Sequence, residues 1–359
     1  MSYYFRNSPI FIETKNIIEG QIGIGNDFVA LLAEAYGLVG KLDGMCRFAP
    51  NIDLYSKLLI IQEVCASCEL ENIPARFYNF FDNESVLKCA SLPLNLLNAI
   101  KYAQDCNFSE NFIKRLHGIL ATSEVAESKY RNSLGVSRES VFFYYGSNPI
   151  PINWIAAAIG EMEKYFSGIG YQDALTAAAR IQYQLEILDP FDHYSRVIAR
   201  IMAMFALKHG GLLAFPVLWL SDYLLKAKIE YKDRLTSAYE QGEEALSIFW
   251  INFFLTAVKA SAKKTIHLIE SLSGARQTHI SMLPQISNGN KSIQSIYEYI
   301  EKTIIVNVRQ ISDALDLSFS SVTRVVKIFE EVGILRQVTQ KERYRQFGYV
   351  PVLDLIRYC

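Results

Sequence analysis

Between Leu185 and Arg200 the chain reads Leu-Glu-Ile-Leu-Asp-Pro-Phe-Asp-His-Tyr-Ser-Arg-Val-Ile-Ala-Arg, which gathers Asp189, Asp192, His193, Ser195, Arg196 and Arg200 in one short stretch. A helix-like run ends in a Pro190-Phe191 turn, a polar loop follows, and Arg200 leads into the apolar run Ile201–Leu207. A polar loop that opens onto a helix N-terminus can hold an anion, because the first backbone N–H groups of a helix have no partner within it. The chemistry to look for here is therefore anion or phosphate handling. His193 has the alternative of a solvated loop residue.

The segments that must position this loop read mainly as helices. Phe28, Leu31, Leu32, Ala35, Tyr36 and Val39 follow the three-and-four spacing of a buried stripe. A second helix runs from about Leu54 to Leu70, limited by Pro74. Further helical patterns cover about 85–104, 109–122, 153–167, 171–188, 196–209, 218–236 and 243–272. Residues 138–146 differ: Arg-Glu-Ser-Val-Phe-Phe-Tyr-Tyr-Gly reads as a short strand or hairpin on a helical body. Residues 275–292 contain Pro284 and Gly289 in polar company and read as a linker with one helical end.

After the linker the pattern changes. A helix (Ile293–Ile300) is followed by a strand-like run through Ile304, Ile305, Val306 and Val308. A short helix (Gln310–Leu315) precedes a longer one, Ser318–Val332, ending at Gly333. Two strand-like pieces follow, Ile334–Thr339 and Arg343–Val350. That order is the winged-helix arrangement. In it Ser320, Ser321, Arg324 and Lys327 face outward, while Val322, Val325, Val326 and Phe329 face the core. Arg324, Lys327, Arg343 and Arg345 are the candidate DNA contacts, with protein docking or dimer support as the module's other use.

Composition sets bounds on function. Of 359 residues, 36 are basic and 37 acidic, for a net charge of −1, so bulk charge does not mark a polyanion binder and only a local basic patch would serve. No run of 18 or more apolar residues and no secretory hydrophobic core occur, which predicts a cytoplasmic chain with no membrane partner. Cys65-Ala-Ser-Cys68 has the gap of a redox or zinc half-site but lies within a helical pattern with no second pair, and is read as buried reduced thiols.

The Leu185–Arg200 stretch resembles the signature of the Fic/Doc family, roughly FExIHPFx(D/E)GNGRxxR, on Glu186, Pro190, Phe191 and Arg200. The resemblance extends upstream to Leu31-Leu32-Ala-Glu-Ala35-Tyr-Gly37-Leu-Val-Gly-Lys-Leu42-Asp43-Gly44 and to Glu63-Val-Cys-Ala-Ser67-Cys-Glu-Leu-Glu71-Asn72. Downstream it covers Gly211–Tyr223 and Trp250–Leu255. It implies a mainly α fold: a Fic-type helical core with a short β-hairpin flap, plus the C-terminal winged helix. The division is an N-terminal region with an inhibitory-type helix (1–108), a Fic core (109–274), the linker (275–292) and the winged helix (293–359).

Fic enzymes transfer AMP from ATP to a side-chain hydroxyl. The resemblance thus implies ATP with Mg²⁺ as cofactor, a histidine base, a metal-holding carboxylate, a glycine-rich phosphate loop and arginines on the phosphates. Here an ungapped alignment puts Asp189 at the base position and His193 at the metal-carboxylate position. Tyr194-Ser195-Arg196 replaces Gly-Asn-Gly, and Val197 stands at the first Arg. A one-residue gap instead brings Asp192 near the metal position and Arg196 to the first Arg. The residues left to meet a nucleotide or anion are Arg200, Ser195 and Arg196. An ordinary Asp is about 2.6 pKa units less basic than His, and imidazole is a poor Mg²⁺ ligand.

The resemblance also implies an inhibitory motif on Ser67, Glu71 and Asn72, with a Glu71–Arg200 charge pair. The 138–146 strand matches a flap that would align a target protein. His117, which matches a family helix, is read as a core or helix-end residue. The leading expectation is a Fic-fold signalling or regulatory protein with impaired ATP and Mg²⁺ use. The alternatives are an active protein adenylyltransferase and a winged-helix DNA-binding regulator with the Fic body as sensor. A homodimer is a further option.

Overall fold

The computed structural model describes residues 26–81, 91–104, 106–122, 128–132, 151–167, 173–241, 246–287, 290–339 and 345–356. The expected strand at 138–146 and the candidate contact Arg343 lie outside the described residues. The fold is mainly helical with one small antiparallel sheet. The chain divides into two compact units. One comprises residues 1–48, 56–75 and 89–265, the other 49–55, 76–88 and 266–359.

In the first unit, α1 (Asn26–Phe48) and α2 (Ile52–Leu70) precede α3 (Ser91–Gln104), α4 (Glu110–Thr122) and α5 (Ile152–Ser167). The buried residues of α1 are Ala35, Val39, Leu42 and Cys46, so its inward stripe lies further along the helix than Phe28 and Leu31 suggest. The centre is α6 (Ala174–Leu188) packed on α7 (Ser195–His209). Every residue of α6 is buried, its polar ones included. A helix buried on all sides has no solvent face, so each polar side chain on it must find a protein partner. Asp173 starts it as N-cap: its Oδ1 accepts from the N–H groups of Leu175 (3.0 Å) and Thr176 (3.1 Å) and from Tyr36 OH (2.8 Å), tying α1 to the same point. Trp250, fully buried, donates its indole N–H to Ala179 O at 2.7 Å.

Two departures from the periodicity follow α7. The single helix expected over 218–236 is split at Ala227 into α8 (Ser221–Lys226) and α9 (Lys228–Gln241). The residue leaves helical geometry (φ −100°, ψ 28°) without a Gly or Pro to signal it. After a π-helical turn (Leu246–Ile251), α10 runs from Asn252 to Ile286, through most of the stretch read as a linker. Pro284 sits in its last turn, where a missing N–H costs a single hydrogen bond rather than a helix.

The second unit contains the end of α10, then α11 (Ile293–Thr303), β1 (Ile305–Val306), α12 (Val308–Leu315), α13 (Phe319–Glu331), β2 (Leu335–Gln337), β3 (Phe347–Tyr349) and α14 (Val350–Ile356). The sheet order is β1-β3-β2, all antiparallel, with Val306 opposite Phe347 and Leu335 opposite Tyr349. Val308 opens a helix instead of extending β1, because Asn307 caps it by accepting from Gln310 N–H at 2.8 Å. On α13, Val322, Val325, Val326 and Phe329 are buried, while Ser320, Arg324 and Lys327 are exposed and Ser321 half-buried. Gly333, at φ +78°, stops α13 in the left-handed region where glycine carries no Cβ penalty. The sequence does not announce α14; it packs close to Gly348, where a Cβ would meet the tip of the Leu353 side chain at 2.6 Å and require it to shift.

Candidate functional site

The loop between α6 and α7 begins at Asp189, which ends α6 in left-handed geometry (φ 41°, ψ 62°), a conformation Asp tolerates better than most residues. Burial pushes its carboxyl above the ordinary range, while Ser195, Arg196 and Arg131 pull the other way. Arg131, itself buried, clamps the turn: its Nε donates to Asp189 O at 2.8 Å and its backbone N–H to Pro190 O at 3.0 Å. Phe191 is buried beneath the loop, with the His117 ring stacked on it at 4.1 Å. Burial lowers the His117 imidazole to about 4, so this histidine is neutral at physiological pH, in keeping with a packing role.

Tyr194, at the first position of the family's Gly-Asn-Gly triplet, has φ 62° and ψ 8°. The backbone thus keeps a turn suited to glycine while carrying an aromatic side chain, a strain of about 1–3 kcal/mol. Ser195 closes the loop on itself. Phe191 N–H donates to Ser195 Oγ at 3.0 Å, and the same hydroxyl donates to Phe191 O at 3.2 Å. One N–H that could meet an anion at this turn is thereby already used.

The donor set does not fit Mg²⁺. His193 and Asp192, the candidate metal ligands, are both exposed. Among the described residues no three His, Cys, Asp or Glu side chains gather as a metal site. A hard, oxygen-seeking ion gains little from an imidazole. The fit to ATP phosphates is also poor, given Tyr194 at the turn and Ser195 on the Phe191 N–H.

Arg200, one turn further into α7, presents a different picture. It is buried, and its guanidinium hydrogen-bonds to α2 and the residue after it. Nε donates to Ser67 Oγ at 3.0 Å; the NH2 nitrogen donates to Ser67 O at 3.3 Å and to Glu71 Oε1 at 2.8 Å. Burial alone would lower the guanidinium pKa, but Glu71, Tyr231 and Glu186 outweigh it and raise the pKa. Glu71 is aimed by the helix end. Asn72 adopts φ 59°, and the N–H groups of Asn72 and Ile73 donate to Glu69 O and Cys68 O, both at 2.9 Å, closing α2 in a left-handed cap. Asn, after Gly, is among the residues best suited to that geometry.

Two buried carboxylates complete the cluster, and neither advertises itself in the sequence as an anchor. Glu186 on α6 accepts through Oε1 from Gln182 Nε2 at 2.9 Å and from Tyr231 OH. Burial raises its pKa, opposed by Tyr231, Gln182, Arg200 and Arg196. Glu63 on α2 accepts from both the hydroxyl and the N–H of Ser221, the latter at 3.1 Å. Burial raises Glu63 to about 7. The sequence-derived residues therefore divide. Ser67, Glu71 and Arg200 meet in one hydrogen-bonded group, Asp189, Ser195 and Arg196 lie along the loop, and Asp192 and His193 point to solvent.

The fold of this chain is similar to that of a Fic family protein from Desulfovibrio desulfuricans G20, with a TM-score of 0.55 over 91% of this chain and 96% of that one, at 14% sequence identity. No family model matches the sequence. The fold class is thus a Fic-type helical body, mainly α, with a small antiparallel sheet. Among the described residues no helix is long and apolar enough to cross a membrane.

Proposed function

We propose that this Fic-fold chain is a regulatory protein whose nucleotide-transfer chemistry is impaired, with α2 held on Arg200 as its inhibitory contact. The single observation that carries this is the loop's use of its own groups. Ser195 takes the Phe191 N–H, and Arg131 takes the Asp189 and Pro190 carbonyls. Asp189 stands where a base would act, and an ordinary carboxylate is a weaker proton acceptor than a histidine. Losing one oxyanion-type donor costs about 10²–10³ in rate, and several such positions are changed together. The test is incubation of the Glu71→Gly variant with labelled ATP and Mg²⁺ or Mn²⁺. The expected result is no transfer; label transferred in an Arg200-dependent way would refute the proposal in favour of an active adenylyltransferase.

A second reading, DNA contact through a C-terminal winged helix, is favoured by one observation: α13 presents Ser320, Thr323, Arg324 and Lys327 to solvent on one side, with its apolar side buried. Arg345 is also exposed. Binding that weakens with salt, and whose salt slope falls by about two in the Arg324→Ala/Lys327→Ala chain, would support it. A salt-independent interaction would not.

A further inference from the structure

Glu63, Ser67 and Glu71 are spaced four residues apart and so form one polar stripe at the C-terminal end of α2 and just past it. Its far end grips Arg200 through Ser67 and Glu71. Its near end grips Ser221, at the start of α8, through both carboxylate oxygens of Glu63. The two grips share one charge field. Arg200 acts on Glu63, and on its other side acts on Glu186.

Glu63 itself is buried, and the groups that hydrogen-bond its carboxyl, the hydroxyl and N–H of Ser221, carry no charge. Arg200 and Asp222 act on it with opposite signs, and Asp222 is matched by Lys226 and Lys264, each at 2.9 Å. Asp189 is faced by Arg131 and Arg196. Cys68, also close to Glu63, has its thiol pushed by burial up to about 12 and stays neutral. A buried carboxylate held only by neutral donors is costly, and taking up a proton removes that cost.

We propose that the clasp of α2 on Arg200 is coupled to a proton held by Glu63, so that protonated Glu63 favours the closed helix and its ionisation loosens it. Ser221 lets Glu63 hold that proton without losing its anchor. A hydroxyl donates to a carboxylate and can turn to accept from a carboxylic acid, whereas a backbone N–H can only donate. The midpoint at about 7 places the change near neutrality.

The sign follows from linkage. When Glu71 leaves Arg200, Glu63 faces a less neutralised guanidinium, so its pKa is lower in the open state. The closed state therefore binds the proton more tightly, and rising pH favours opening. The inference concerns the movement of α2 and does not depend on whether the loop binds a nucleotide.

Hydrogen exchange at the C-terminal end of α2, corrected for the intrinsic rate, reads the opening directly. In the native chain the opening constant is expected to rise by up to about tenfold per pH unit where Glu63 titrates only in the open state. Glu63→Gln, which mimics the protonated acid, should stay protected and lose this dependence, while Glu186→Gln should keep it. Equal pH dependence in the native and Glu63→Gln chains would overturn the proposal, as would its loss in Glu186→Gln alone. If Glu63→Gln does not fold, the reciprocal experiment decides. The carboxyl titration of Glu63, followed by isotope-edited infrared spectroscopy, should move to lower pH in Glu71→Gln, and an unmoved midpoint would overturn the coupling.

Discussion

Two stretches of the same helix pair have fared differently. At the α6–α7 turn the groups satisfy one another: Arg131 holds the Asp189 carbonyl, Tyr194 occupies a left-handed turn, and Ser195 takes the loop's own N–H. One turn further, the buried Arg200 donates to Ser67 on α2 and to Glu71 just past it. The contrast separates two demands that a nucleotide site normally makes together. Chemistry needs groups left unsatisfied until substrate arrives. A clasp needs groups satisfied now, as Ser67, Glu71 and Arg200 are.

The contrast can be broken most severely at Arg200. Replacing it with Met should destabilise the chain by about 3–5 kcal/mol in a denaturant titration, because Glu71, Glu63 and Glu186 lose their shared counter-charge. A loss below about 1 kcal/mol would mean that the clasp is ornamental. The next effect is coupling within the clasp. A double-mutant cycle on Glu71→Gln and Arg200→Met should give an interaction of about 1–3 kcal/mol, above the range of exposed ion pairs. Zero coupling would remove the inhibitory contact from the account.

On the loop side, His117 supplies an acid-sensitive element. Its pKa is lowered from 6.5 to about 4, so the unfolded chain binds the proton more tightly. Its contribution is fully present above 6.5 and is lost as pH falls toward 4. His117→Phe keeps the stack on Phe191 and should flatten the stability profile across that window, as read by thermal unfolding at stepped pH. An unchanged acid limb would show that the imidazole is solvated. The smallest expected effect is at Asp173→Ala. Loss of the α6 N-cap should cost about 1 kcal/mol without altering the clasp.

Much of this was legible in the residues. The spacing of apolar positions places α2, α4, α5, α6, α7 and α13 close to where they lie, because burial of one face is a local property of sequence. The Glu71–Arg200 pair, 129 residues apart, was readable only through resemblance to a family pattern. Glu63–Ser221, at 158 residues, and Glu186–Tyr231, at 45, were not, since nothing in a lone Glu or Tyr declares which partner a fold will bring. The break at Ala227 escaped for a related reason: no local breaker marks it, so tertiary packing sets it. The continuation of α10 over residues 275–286 escaped in the opposite sense. Pro284 looked like a stop, but near a helix end it removes little.

The central claim, that the loop has kept its clasp and lost its chemistry, is tested most directly by calorimetric titration of the native and Glu71→Gly chains with ATP and Mg²⁺. The account predicts no saturable binding in either, because freeing Arg200 does not restore the phosphate-facing N–H groups or a metal ligand. Saturable binding in Glu71→Gly that is lost when Arg200 is also replaced would contradict it, and would mean that the loop still reads phosphate once α2 lets go.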